Sequence, residues 1–199
     1  MLEGTKRAPV SIDDAILDAA RGCILDFGVR RTTLAEVARR AGVSRPTVYR
    51  RWQDTRALLG DLLTRELHET ISRPADESGD IRDRLVRTVV EGTAAIRAHP
   101  LFVKIFRTDA EQLLTYIVRR LGRSQREVIA AIAKAVKAGQ AEGSIMAGDA
   151  EQMATMLLLI AQSAVQSAGM VAETLPPSTL DAQLALAVDG YLAPAREGA

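Results

Sequence analysis

Eight arginines fall between residues 28 and 56: Arg30, Arg31, Arg39, Arg40, Arg45, Arg50, Arg51 and Arg56. Only two carboxylates, Glu36 and Asp54, oppose them there. A guanidinium stays charged at any working pH. Its planar fork of donors fits a phosphate, or the O6 and N7 edge of guanine, with paired hydrogen bonds. Ser44, Thr47 and Tyr49 lie among these arginines and supply hydroxyls of the kind that bind phosphate oxygens. The chemistry on offer is recognition of a polyanion. From charge alone, a solvated basic face accounts for the same residues.

Nothing comparable points to catalysis. The two histidines, His68 and His99, stand in no metal-ligand spacing, and no two glycines are two apart, so no G-x-G phosphate loop exists. Cys23, the single cysteine, lies on an apolar stripe and reads as core. Asp13, Asp14, Asp76 and Glu77 sit where cap and loop carboxylates belong. No catalytic residue, metal site or cofactor is expected.

The chain around this basic stretch is ordinary for a globular protein: 199 residues, 47% apolar, 26% charged, net charge +1. The balance is uneven. Residues 1–60 carry 11 basic against seven acidic side chains, whereas residues 61–199 carry 15 against 18. A basic head on a mildly acidic body predicts a polyanion partner for the head alone. One cysteine and no visible secretory leader suit a reducing cytoplasm.

The elements that position the arginines read as helices, and the expected fold class is all-α, with about nine helices. Ile12, Ile16, Ala19, Ala20, Cys23, Ile24 and Phe27 form one helical stripe, with Ser11 as N-cap and Gly28 as terminator. Thr33-Leu34-Ala35-Glu36 is a capping-box pattern opening a helix to about Arg40. Ala41-Gly42-Val43 makes a tight turn. Ser44 caps a second helix, with Pro46 in its first turn and Val43 and Val48 spaced as a hydrophobic staple. Asp54 caps a helix over about 55–71. After a loop at 73–79, helices are predicted over 81–98, 101–107, 109–121 and 124–138, with Gly139 and Gly143 in the next loop. A long helix over 149–172 and a last one after Pro176-Pro177 complete the set. Met153–Ala172 holds no charge, yet its alanines, Gln162, Ser163 and Gln166, and its flanks without basic or aromatic anchors, predict a doubly buried core helix and not a membrane span.

Thr33–Trp52 is therefore two short helices joined by a glycine turn, the geometry of a helix-turn-helix. Leu34, Val37, Ala38 and Val48 fix the crossing, and the second helix turns Arg45, Thr47, Tyr49 and Arg50 outward. One helix fits the major groove of duplex DNA.

At these residues the chain resembles the tetracycline-repressor (TetR) family of bacterial transcription regulators. The likeness runs from about Ile12 to Glu66: I-L-D-A-A, Phe27-Gly28, T-T-L-A-E-V-A at 32–38, A-G-V-S at 41–44, P-T-V-Y at 46–49, Trp52 and Leu58-Leu59. The resemblance implies a helix-turn-helix domain at 1–53, a linking helix at 54–72, and a helical ligand-binding and dimerisation domain at 73–199. It implies phosphate contacts at Thr33, Ser44, Thr47 and Tyr49, and base contacts from Arg45, Pro46, Thr47 and Arg50. Trp52 is implied to pack after the recognition helix and touch the DNA backbone. Where the family has a lysine at the start of the fourth helix this chain has Thr55, and Arg56 is the expected substitute.

The family pattern further implies a homodimer on a pseudo-palindromic double-stranded DNA operator, a repressor released by a small hydrophobic ligand. Expected pocket residues are Phe102, Ile105, Phe106, Leu113, Leu114, Tyr116, Ile117, Met153, Met156, Leu157 and Ile160, apolar and suited to a fatty-acyl or lipid-like molecule; plain core is the competing assignment. Gln112, Tyr116 and Gln162 are candidates to orient a polar end. Ala161, Ala164, Val165, Ala168, Leu184, Ala187, Val188 and Tyr191 are expected at the dimer interface. A helical adaptor using 149–192, or a helical enzyme with an unseen site, remains the alternative.

Overall fold

The computed structural model describes residues 11–71, 78–109 and 122–194. Among them there are nine helices and no strand. In chain order they are α1 (Ile12–Phe27), α2 (Leu34–Ala41), α3 (Arg45–Tyr49), α4 (Thr55–Ile71), α5 (Ile81–Ala98), α6 (Pro100–Thr108), α7 (Arg123–Glu142), α8 (Ala150–Gln166) and α9 (Pro177–Leu192). The helix expected over 109–121 has all but its first residue outside the described segments, and so do Gln112, Leu113, Leu114, Tyr116 and Ile117. No helix among the described residues is long and apolar enough to cross a membrane.

The capping chemistry explains the first three starts. The Ser11, Thr33 and Ser44 hydroxyls each accept from a backbone N–H three residues on, and Asp54 does the same for Ala57 at 2.7 Å. Gly28 (φ +82°) and Gly42 (φ +69°) end α1 and α2 in the left-handed region, where a side chain strains the backbone.

Two helices differ from the sequence expectation. α7 runs through Gly139 to Glu142 and stops at Gly143, φ +86°. Gly139 belongs inside the helix because Ile145 folds back onto it: a Cβ there would sit 2.4 Å from the Ile145 side chain. α8 ends at Gln166, six residues before the expected Ala172, and the chain continues through turns from Ser167. Ser167 and Gly169 are poor helix formers, and no buried face compensates for them, Gly169 and Met170 being exposed.

Apolar side chains collect in two main cores. The first holds Ile16, Ala20, Cys23, Ile24, Leu34, Val37, Val48, Trp52, Leu58 and Leu62 from α1–α4 and the α3–α4 junction. It also takes in Leu101, Phe102 and Ile105 of α6, a helix expected to belong wholly to the body. The second joins α5, α7, α8 and α9 through Leu85, Val89, Val136, Met153, Leu157, Leu184, Val188 and Leu192. Burying a Leu, Ile or Val side chain is worth about 1.5–3 kcal/mol, so each core fixes its helices firmly.

Candidate nucleic-acid interface and ligand cavity

α2 and α3 form the hairpin that the 33–52 spacing predicts. Leu34, Val37, Ala38 and Val48 are buried and set the crossing. Outward-facing residues are Ser44, Arg45, Pro46, Tyr49 and Arg50, all exposed, with Thr47 half-buried. The Ser44 and Thr47 hydroxyls are 2.8 Å apart at the start of α3.

The arginines divide into two groups. Arg39 forms a two-pronged pair with Glu36 at 2.9 and 2.6 Å. Its guanidinium, beside the Glu36 carboxyl, holds that group below the usual carboxylate range. Arg40 bonds Asp26. Arg51 is bound to Asp13 and also donates to the Thr47 carbonyl at 3.1 Å. Arg30 lies 3.9 Å from Asp109. Arg31, Arg45, Arg50 and Arg56 are exposed and have no ion pair among the described residues. The net positive charge counted from sequence is thus partly neutralised inside the head, and Arg45 and Arg50 of the recognition hairpin remain uncommitted.

Trp52 packs after the recognition helix, as expected. It is 5% exposed, sits in the first core, and its indole N–H donates to Asp61 at 2.9 Å. The side chain anchors the end of α3 to α4, and its only side-chain donor is used there. Thr33 is exposed as the α2 cap, and Arg56 is exposed on the first turn of α4.

Between the cores lies a cavity of about 450 Å³, within the range of small-molecule sites. Its walls come from α4 (Leu63, Leu67, Ile71), α5 (Leu85, Val89, Thr93, Ile96), α6 (Phe102, Phe106), α7 (Ser124, Gln125, Val128, Ile132) and α8 (Leu158, Ala161, Gln162, Val165, Gln166). Of the expected pocket residues in the described segments, Phe102 and Phe106 line it, and so does Gln162. Ile105, Met153 and Leu157 do not; they are buried within the cores. Ile160 packs half-buried against the second core, and Met156 is exposed. The walls from α4, α5 and α7 were not foreseen at all, and on α8 the difference is one of rotation. The α8 face toward the cavity is Leu158, Ala161, Gln162 and Val165, about one residue round from the face chosen by apolarity.

Two expected interface residues, Ala161 and Val165, therefore face inward. Leu184 and Val188 are consumed by the second core, with Ala164 and Tyr191 packed beside it. Ala168 is half-buried and Ala187 is exposed. The large apolar side chains left on the outside of α8 and α9 are Met156, Leu159 and Leu186.

The cavity touches the head directly. Phe102 belongs both to its wall and to the first core, and α6 ends in a tie to the α1–α2 turn. Asp109, just past α6, accepts from the Val29 N–H at 3.0 Å, the Arg30 N–H at 3.4 Å and the Thr108 hydroxyl at 2.7 Å. Burial pushes this carboxyl up, but the donated hydrogen bonds outweigh burial and hold it below its ordinary value. A second tie centres on buried Glu66 of α4, which meets Arg21 of α1 at 3.0 Å, Arg65 at 3.1 Å and His99 at 3.4 Å. The sequence held no signal for either tie, since Asp109 is 80 residues from Val29 and Glu66 is 45 from Arg21.

Comparison with known proteins gives a consistent picture. The sequence profile for bacterial regulatory proteins of the tetR family matches residues 16–62. An uncharacterized HTH-type transcriptional regulator of Mycobacterium tuberculosis is 44% identical over 177 residues, covering 89% of this chain and 92% of that one. A TetR-family transcriptional regulator from Rhodococcus sp. has a similar fold, with a TM-score of 0.67 at 23% identity over 92% of this chain and 98% of that one. The transcriptional regulator FadR of Bacillus subtilis, solved in complex with stearoyl-CoA, superposes with a TM-score of 0.63 at 15% identity, covering 89% and 98%.

Proposed function

The chain belongs to the tetR family of bacterial regulatory proteins and is a DNA-binding transcriptional regulator, not an enzyme; from that premise we propose that it is a homodimeric repressor, released from a pseudo-palindromic operator by a small lipophilic ligand. The observation that carries the DNA half of this reading is the state of α3. Arg45 and Arg50 stand exposed, without an ion pair among the described residues, beside a hairpin whose other cations are largely held by carboxylates.

In this reading Arg45 and Arg50 contact base edges, with Pro46 and Thr47 packed beside them in the groove. Thr33, Ser44, Thr47 and Tyr49 bind phosphate, and Arg56 takes the phosphate contact at the start of α4. Trp52 is left out, because its core position and its bond to Asp61 give it a scaffold role. The head comprises α1–α3, α4 links it to the body, and the protein acts in the cytoplasm, where the operator is.

The ligand half rests on the cavity. Its walls include α4 and α6, both of which contribute to the head core. A ligand acts only if it prefers one of the two head spacings. A molecule wedged against Leu63, Leu67, Phe102 and Phe106 has that leverage, because these side chains stand on the elements that hold the head. The apolar lining supports a lipophilic ligand, as does the shared fold of the regulator solved with stearoyl-CoA. Dimerisation is assigned to the outer faces of α8 and α9, through Met156, Leu159, Leu186 and Ala187. These apolar groups belong to none of the cores formed by the described residues.

Fluorescence anisotropy on an operator duplex tests the reading. Affinity should fall steeply as salt rises, by about 0.9 log unit per phosphate contact for each log unit of salt. It should exceed affinity for random duplex by at least about 10³-fold, and a lipophile that binds the body should lower it. Equal affinity for operator and random DNA contradicts the regulator reading at this hairpin.

A further inference from the structure

We propose that the cavity acts on each head by itself, as well as on the spacing between heads, and that Asp109 is the positioning residue. Its carboxylate holds the α1–α2 turn that presents Thr33 to a phosphate, and α6, which walls the cavity, sets the carboxylate. This rests on the cavity being the ligand site and on Thr33 being a phosphate contact.

The turn is closed by bonds within the head and by bonds from outside it. Within it, the Thr32 N–H donates to the Val29 carbonyl at 3.1 Å and the Thr32 hydroxyl to the Gly28 carbonyl at 2.8 Å. Val29 and Thr32 are buried. Thr33 follows directly and is exposed, its hydroxyl accepting from the Glu36 N–H at 3.2 Å where α2 begins. From outside, the two Asp109 oxygens accept the Val29 and Arg30 N–H groups at 3.0 and 3.4 Å. The same carboxylate lies against Gly28, where a Cβ would come within 2.9 Å of Oδ2. Moving it away by about 0.5 Å stretches both bonds past useful length. Moving it closer presses on the backbone at Gly28. Either shift reaches Thr33, five residues on.

α6 can deliver that shift. The Asp109 N–H donates to the Ile105 carbonyl at 2.8 Å, so the residue rides on the last turn of the helix. Phe106 stands on that turn and lines the cavity, with Phe102 about one turn before it. Leu101 and Ile105 pack into the head core. A ligand lodged against Phe102 and Phe106 therefore pushes on the element that carries Asp109, and close packing passes the displacement on. This path does not run through α4.

A duplex carrying one half of the operator separates the two effects. A single head binds it, so the distance between heads does not enter. Phenylnaphthylamine, a neutral apolar fluorophore, serves as the cavity occupant, and its emission reports its own binding to the full-length protein. On the wild type, saturating fluorophore should lower half-site affinity by at least about fivefold. Asp109→Ala should lower half-site affinity about tenfold without any ligand, the worth of one hydrogen bond to a charged group. The fluorophore should bind this variant as it binds the wild type and lower its half-site affinity no further. Asp109→Asn keeps one acceptor for the Val29 N–H and should fall between the two, so the result does not hang on the alanine variant alone. If Asp109 only supports the fold, both variants melt earlier but keep wild-type half-site affinity and response to fluorophore, which overturns the proposal. Weakening on the full operator with no effect on the half-site also overturns it, and leaves the cavity and the head-spacing mechanism standing. If the fluorophore does not bind, the cavity reading falls and this inference falls with it.

Discussion

Arg45 and Arg51 stand six residues apart in the same hairpin, yet their surroundings differ. Arg45 is free to reach a base edge, whereas Arg51 is held by Asp13 and the Thr47 carbonyl. Arg45→Ala should cost about 1–3 kcal/mol of operator affinity and relax discrimination at the base pair it reads. Arg51→Ala should leave the pattern of base discrimination unchanged. Anisotropy on the operator and its single-base variants checks both, and a shifted base pattern in Arg51→Ala refutes the division. Residue types and spacing in the sequence were enough to locate the basic hairpin. They could not show which arginines are spent, because the partners Asp13 and Asp26 lie 38 and 14 residues from Arg51 and Arg40. Trp52 packs after the recognition helix as expected; the sequence could not show that its indole N–H is spent on Asp61, which lies on the next helix.

At the scale of elements, the join between α6 and the α1–α2 turn matters most. Asp109 fills the space that a side chain at residue 28 would need: a Cβ on Gly28 would lie 2.9 Å from its Oδ2, at φ +82°. Asp109→Ala strips partners from two backbone amides and should lower stability by about 1–3 kcal/mol; Gly28→Ala should cost a similar amount through clash and strain. Because the Asp109 carboxyl is held below its ordinary value, its contribution is present above that value and is lost as acid protonates the folded state. Thermal melts followed as pH falls below about 4 should show a steeper loss for the wild type than for Asp109→Ala. Parallel curves would mean that the tie carries no stability. Helix starts were legible from Ser11, Thr33, Ser44 and Asp54, since capping is local chemistry. Two helix ends were misread, at Gly139 and Gln166, because tertiary packing decides whether a glycine ends a helix or makes room for a neighbour such as Ile145.

For the whole molecule, the all-α class and the basic head followed from periodicity and charge. The cavity did not, since core and lining use the same apolar residue types: the walls from α4, α5 and α7 were not foreseen, and the α8 face was chosen about one residue round. That rotation also changes where a second copy can dock. Val165 faces inward, so the outward Leu159 and Leu186 are the residues to test. Leu159→Arg/Leu186→Arg should yield monomers by light scattering, with an intact helical spectrum and much weaker operator binding. A dimer that persists in this variant would move the interface elsewhere.

The most direct test of the account is a selection from a pool of random duplexes by the purified full-length protein. Enrichment should converge on a pseudo-palindrome whose half-sites lie about one helical turn, or modestly more, apart, and Arg45→Ala should lose the base preference within each half. A pool that stays random, or a motif that Arg45→Ala selects unchanged, would contradict the claim that α3 reads DNA.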